Sequence, residues 1–144
     1  MTDGRRDIAD VSVIMPAWRA ADTIGRALAS VAGQTVLPRE VIVVDDGSDD
    51  GTSDRAREWA DRLAPVTLKV FRQHNAGPGA ARNRAIRESS GALLAFLDAD
   101  DEWLPEKLEK SLARLAEPDV VLVATNLIVD TGAHSFDTDS ARHL

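Results

Sequence analysis

Val41-Ile-Val-Val44 is an unbroken β-branched run, too short to form a helix of its own and far too short to span a membrane. An apolar run of this length without polar alternation suits a strand buried on both faces, and such strands occur in parallel sheets covered by helices. The chain around it repeats the pattern. Val11–Met15 is a second such run, stopped by Pro16. Ile24, Ala27, Leu28 and Val31 then recur at helical spacing behind Asp22, which is placed to cap that helix. Ala56, Trp59, Ala60 and Leu63 predict a second helix, Val66–Phe71 a third strand, Gly79–Glu88 a third helix and Ala92–Leu97 a fourth strand. Pro105 suits the first turn of a helix lined by Leu108, Leu112 and Leu115, and Val120–Ala124 predicts a fifth strand. The expected fold is α/β: an open, mostly parallel sheet with helices on both faces.

The expected organisation is a flexible N-terminus over residues 1–10, one α/β domain over 11–128 and an irregular tail over 129–144, with a turn at Asp130-Thr-Gly132. A length of 144 residues suits one domain. Hydrophobic residues at 44% and charged residues at 28% place the chain with globular proteins rather than disordered ones.

Charge narrows the functions available. With Asp+Glu 24 against Lys+Arg 17, the net charge is −7, and no basic run is present. Phosphate backbones and anionic lipid surfaces need Lys/Arg neutralisation, so nucleic acid is excluded as an expected partner. The absence of cysteine removes disulfides, thiol catalysis and thiolate metal sites, and fits a reducing compartment. The opening MTDGRRDIAD has no apolar core of a secretory signal. No stretch is long enough for a membrane span, and the expected location is the cytoplasm, with a peripheral position at the inner face of the membrane as a variant.

In open parallel sheets, ligands bind beyond the carboxyl ends of the strands. Pro16-Ala-Trp-Arg19 follows strand one, Asp45–Gly51 strand two, His74–Arg82 strand three and Asp98-Ala-Asp-Asp101 strand four. Crowded carboxylates repel one another, a cost that a hard cation removes. Asp98, Asp100 and Asp101 therefore read as a cation site. The competing reading is a solvated turn in which Asp101 favours the dipole of the next helix.

The Asp45–Gly51 turn admits three readings: a carboxylate for a ligand, a helix cap from Ser48, Thr52 or Ser53, or a calcium loop. The calcium loop fails, because its twelfth position is Arg57 rather than Glu. Gly77–Arg82 half-matches a dinucleotide fingerprint, but Arg82 stands where the third glycine belongs and the segment follows strand three. It reads instead as a loop that delivers Arg82 to phosphate or base, or as an ordinary helix start. His74, His134 and His143 have no metal-ligand spacing. Trp59 falls on an apolar helix side, whereas Trp18 and Trp103 lie in strand-end loops where a ring could line a pocket. A receiver domain shares the acidic strand ends, but strand one here ends in Met15-Pro16 rather than an acidic pair.

Taken together, Val11–Trp18, Ala29–Thr35, Val43–Thr52, Asn75–Asn83 and Phe96–Asp101 resemble the family 2 glycosyltransferases. Each motif alone is weak; five in this order and spacing are specific. The resemblance runs from about Val11 to Ala124. It implies a GT-A fold with a Rossmann-like nucleotide-binding half, over residues 11–128, and inverting transfer of a sugar from a nucleotide-diphosphate donor to an acceptor hydroxyl. By the same resemblance, Pro16, Ala17 and Trp18 border the base, and Asp46 accepts a hydrogen bond from its ring. Asp45 and Ser48 support that loop, and Arg82 lies near the nucleotide. Asp98 and Asp100 face ribose, sugar or phosphate. Asp101 is the leading ligand of Mn²⁺ or Mg²⁺, with Asp100 beside it. The implied partners are a nucleotide-diphosphate sugar, UDP-linked before others, a saccharide or other hydroxyl acceptor, and a second copy of the chain.

The chain departs from the family pattern where an aromatic followed by Asn is usual; Trp18-Arg19 stands there. The family's general base normally lies beyond the fifth strand. Asp130, Asp137 and Asp139 sit in no matching motif, so no base is assigned. The expectation is the donor-binding half of a transferase for cell-envelope polysaccharide, binding a nucleotide–metal complex with negligible transfer. The alternative is a non-catalytic nucleotide-sugar-binding module.

Overall fold

A computed structural model describes residues 4–125, 127–130 and 135–138. It divides into two compact units, Met1–Glu109 and Lys110–Leu144. The first contains β1 (Ile8–Ala17), α1 (Ile24–Ala32), β2 (Leu37–Asp45), α2 (Thr52–Arg57), α3 (Ala60–Leu63), β3 (Thr67–Arg72), α4 (Pro78–Arg87) and β4 (Leu93–Phe96). Helix α5 (Lys107–Leu115) begins in the first unit. The second unit contains β5 (Leu127–Asp130) paired antiparallel with β6 (Ser135–Thr138).

The four strands of the first unit form one parallel sheet in the order β3-β2-β1-β4. Strand alternation divides its core in two. Val13 and Met15 of β1 and Val41 and Val43 of β2 face one way, packing against Ile24, Leu28 and Val31 of α1 with Ala56 and Leu63. Ile14 of β1 with Ile42 and Val44 of β2 faces the other way, onto Ala81 and Ala85 of α4. All seven strand residues are fully buried, which explains why the Val41–Val44 run carries no polar alternation. The expected α/β architecture, with helices on both faces, is the one observed.

Several boundaries move. Strand β1 starts at Ile8, three residues before the expected Val11. The single helix expected through Ala56–Leu63 is two short ones, α2 and α3. Asp22 does not cap α1: Thr23 occupies that position with no capping bond from its side chain, and the Ala20 carbonyl accepts the Thr23 and Ile24 amides instead. Nor do Ser48, Thr52 or Ser53 cap α2; the Asp50 carboxylate accepts the Thr52 amide at 3.2 Å and its hydroxyl at 2.6 Å.

Val120–Ala124 is not a strand. Val121 and Leu122 are 92% and 79% exposed, and an apolar run becomes a strand only where a neighbour offers it a ladder. The pairing instead begins at Leu127 and involves Ser135–Thr138, within the stretch expected to be irregular. Among the described residues, no helix is long and apolar enough to cross a membrane.

Candidate active site

Strand order places the switch point between β1 and β4: the chain leaves β1 toward β2 and β3, then crosses back to β4. Helices depart to opposite faces at such a point, and a crevice opens beyond the strand ends. A cleft of about 610 Å³ lies there. Pro16, Ala17, Trp18 and Arg19 line it from the end of β1, and Asp46 from the end of β2. Asn75, Gly77 and Arg82 line it from α4 and the loop before it, and Asp98 and Asp100 from the turn after β4.

The β1 end is held by the acidic turn after β2. Three successive amides are each taken by a side chain of that turn or of the first residue of α2: Arg19 by Ser48 Oγ at 2.8 Å, Ala20 by Thr52 Oγ1 at 2.9 Å and Ala21 by Asp50 Oδ2 at 3.2 Å. The Thr52 hydroxyl bond, and the amide bonds of Ala21 and Thr52 with it, holds Asp50 below the usual carboxylate range against the opposing effect of burial. Arg19 takes a left-handed backbone, φ 47°, a conformation costly for a residue with a side chain. Its guanidinium sits 4.7 Å from the centre of the Trp18 ring and pairs with Asp49 at 3.2 Å. Trp18 lines the cleft and is 52% exposed there.

The adjacent carboxylates of the β2 end separate by strand alternation. Asp45 turns inward: its Oδ1 accepts the Ser48 amide at 2.9 Å and its Oδ2 the Ser53 hydroxyl at 2.5 Å. Neither Asp45 nor Ser48 lines the cleft; both shape the turn. Asp46 turns to the cleft and organises the loop before α4. Its Oδ1 accepts from Gln73 Nε2 at 2.8 Å and the Ala76 amide at 2.9 Å, and its Oδ2 accepts the Gly77 amide at 2.8 Å. Burial opposes ionisation of Asp46, but these three bonds outweigh it and hold the carboxyl below its ordinary range. Gly47 permits the approach, since a Cβ there would lie 2.8 Å from the Asn75 amide nitrogen and its φ is +80°.

Arg82, in the first half of α4, donates to Asp98 Oδ1 at 2.9 Å, presenting a cation at the cleft beside the acidic turn. Carboxylate oxygens of Asp98, Asp100 and Asp101 all lie within 4.8 Å of one another. Burial raises the Asp101 carboxyl above its usual range, and the charges of Asp100 and Asp98 raise it further. An all-oxygen, mutually repelling set of this kind fits a hard divalent cation. Asp101 belongs to this cluster without lining the cleft.

Arg19, Thr23, Asn75 and Gly77 also line the cleft although none was expected to bind a ligand. The Asn75–Arg82 segment was conspicuous in sequence; which of its residues would face inward was not. His74 is exposed, and His134, His143 and Asp139 lie outside the described residues. Asp130 and Asp137 fall in β5 and β6.

The family model for glycosyl transferase family 2 matches residues 12–141. The glucosyltransferase WfgD of Escherichia coli, named for transfer from UDP-Glc to alpha-D-GlcNAc-diphosphoundecaprenol, is 35% identical over 116 residues, 81% of this chain and 45% of WfgD. The mannosyltransferase PcManGT of Pyrobaculum calidifontis, solved with GDP-Man and Mn²⁺, superposes with a TM-score of 0.72 at 32% identity, covering 82% of this chain and 36% of that one. S. aureus TarS 1-349, solved with UDP-GlcNAc, gives 0.66 at 34% identity, covering 73% of this chain and 30% of that one. The chain spans under half the length of the curated relatives it matches.

Proposed function

Because the chain belongs to glycosyl transferase family 2, we propose that its cleft binds the donor of an inverting sugar transfer, a nucleotide-diphosphate sugar with UDP as the preferred nucleotide. The observation that carries this reading is the convergence of an exposed indole, a hydrogen-bond acceptor, a cation and an acidic cluster around one crevice at the switch point. Trp18 offers a stacking face for the base. Asp46 has acceptor capacity left on Oδ2, which accepts one bond, for a ring N–H such as uracil or guanine presents and adenine does not. Arg82 faces the diphosphate.

Asp101 and Asp100, with Asp98, would hold Mn²⁺ or Mg²⁺. Bound there, the cation would offset the charge that collects on a diphosphate leaving group. The relatives solved with UDP-GlcNAc and with GDP-Man and Mn²⁺ support the ligand class. The acceptor is a saccharide or another hydroxyl compound, and the lipid-linked acceptor in the name of WfgD supports a role in envelope polysaccharide synthesis at the cytoplasmic face of the membrane.

Calorimetric titration of UDP, GDP, TDP and ADP, each with Mn²⁺ and with EDTA, tests the reading. Tighter binding of the first three than of ADP, strengthened by Mn²⁺, is expected. Equal binding of all four, or none, would overturn it.

A further inference from the structure

Gln34 is fully buried between α1 and β2, and its amide reaches across to a segment 70 residues later in the chain. Nε2 donates to the Leu104 carbonyl at 2.8 Å and to the Ser30 carbonyl at 3.0 Å; Oε1 accepts the Leu108 amide at 2.9 Å. Both amide protons and the amide oxygen are thus used, two of the three bonds on the chain that leaves the acidic turn. Its neighbours work on the same segment. Ser30 Oγ accepts the Trp103 amide at 3.0 Å, and the Thr35 amide donates to the Pro105 carbonyl at 2.9 Å.

The acidic turn is therefore a short bridge between two fixed ends. Upstream, the Leu97 amide is bonded to the Ile14 carbonyl of β1; downstream, Trp103, Leu104 and Pro105 are bonded to the end of α1. Within the turn, the Asp101 amide donates to the Asp98 carbonyl at 3.0 Å. Three carboxylates on such a bridge repel, and with one end released they would spread. We propose that Gln34 is a positioning residue for the acidic cluster: by clamping the segment after it, the amide keeps Asp98, Asp100 and Asp101 close enough to share one divalent cation. The inference rests on the donor-site reading above and adds a residue that touches neither nucleotide nor cation.

The test compares UDP affinity with Mn²⁺ and with EDTA for the 144-residue chain and for Gln34→Leu, Gln34→Glu and Asp101→Asn. Gln34→Glu keeps the acceptor for Leu108 and loses the donors to Leu104 and Ser30. Because Gln34→Leu also empties a buried network, Leu28→Ala serves as a core variant of comparable thermal loss. Removing a group that orients metal ligands typically costs about 10–100-fold in metal affinity. A fall of that size in the Mn²⁺-dependent enhancement is expected for both Gln34 variants, with affinity in EDTA retained and with Leu28→Ala unaffected. An enhancement equal to that of the unaltered chain, or equal losses with Mn²⁺ and with EDTA, would overturn the role of Gln34 while leaving the donor site standing. No enhancement in the unaltered chain would overturn both.

Discussion

The Asp46 carboxylate accepts the Gly77 amide at 2.8 Å, so the residue assigned to the nucleobase is also what secures the loop before α4. On the proposed reading, base recognition and loop placement would be coupled through one side chain, which has consequences for its substitution. Asp46→Asn turns one acceptor oxygen into a donor that faces another donor. Leaving such a buried bond unmade costs about 1–3 kcal/mol, and the same change should weaken UDP about tenfold or more. Urea unfolding and calorimetry on one preparation check both. An Asp46→Asn chain with unaltered stability and an unaltered preference for UDP over ADP would contradict the assignment.

Arg82 and Asp98 behave differently, because their ion pair is half open to water, with side chains 38% and 47% exposed. Exposed pairs contribute little to folding, about 0–1 kcal/mol. The Arg82→Ala change should therefore barely move the melting temperature. Charged hydrogen bonds to a desolvated phosphate are stronger, about 1.5–3 kcal/mol, so UDP affinity should fall by about tenfold or more. A melting shift as large as the affinity loss would point to a structural role instead.

At the opposite end of the sheet, Glu40 is 2% exposed. Its Oε1 accepts the Ser12 hydroxyl at 2.6 Å and the Ser90 amide at 2.6 Å, and Oε2 pairs with Lys69 at 2.7 Å. Burial pushes its pKa up, but the Lys69 contact and the serine bonds win, bringing it to about 2 from 4.5. The folded value lies below the unfolded one, so this stability is present above pH 4.5 and is lost as pH falls toward 2. It amounts to at most about 3 kcal/mol. Glu40→Gln should lower stability at neutral pH and flatten the decline across that window. Parallel acid-unfolding curves for the two chains would refute this.

Local pattern made much of this legible. Alternation along β2 alone separates Asp45 from Asp46: Asp45 continues the Val41 and Val43 side toward Ser53 of α2, and Asp46 falls to the other. The four loops after strands one to four, two of them acidic and one glycine-rich, stood where a parallel sheet must put a ligand, so the cleft followed from strand order. Partners distant in sequence were not legible. Nothing near Gln34 indicates that Leu104 and Leu108 will use its amide, and nothing near Glu40 names Lys69 and Ser90. The fifth strand failed for the related reason that Val120–Ala124 has the composition of a strand, whereas pairing is a property of two segments.

The most direct measurement is the affinity of this chain for UDP with saturating Mn²⁺ against that in EDTA, repeated with Asp101→Asn. Burial raises the Asp101 carboxyl and the charges of Asp100 and Asp98 raise it further; that repulsion within the cluster is what a cation would relieve. The account predicts tighter UDP binding with Mn²⁺ in the unaltered chain and loss of that difference in Asp101→Asn, with EDTA affinities alike. Equal affinity with and without Mn²⁺ in the unaltered chain would contradict it.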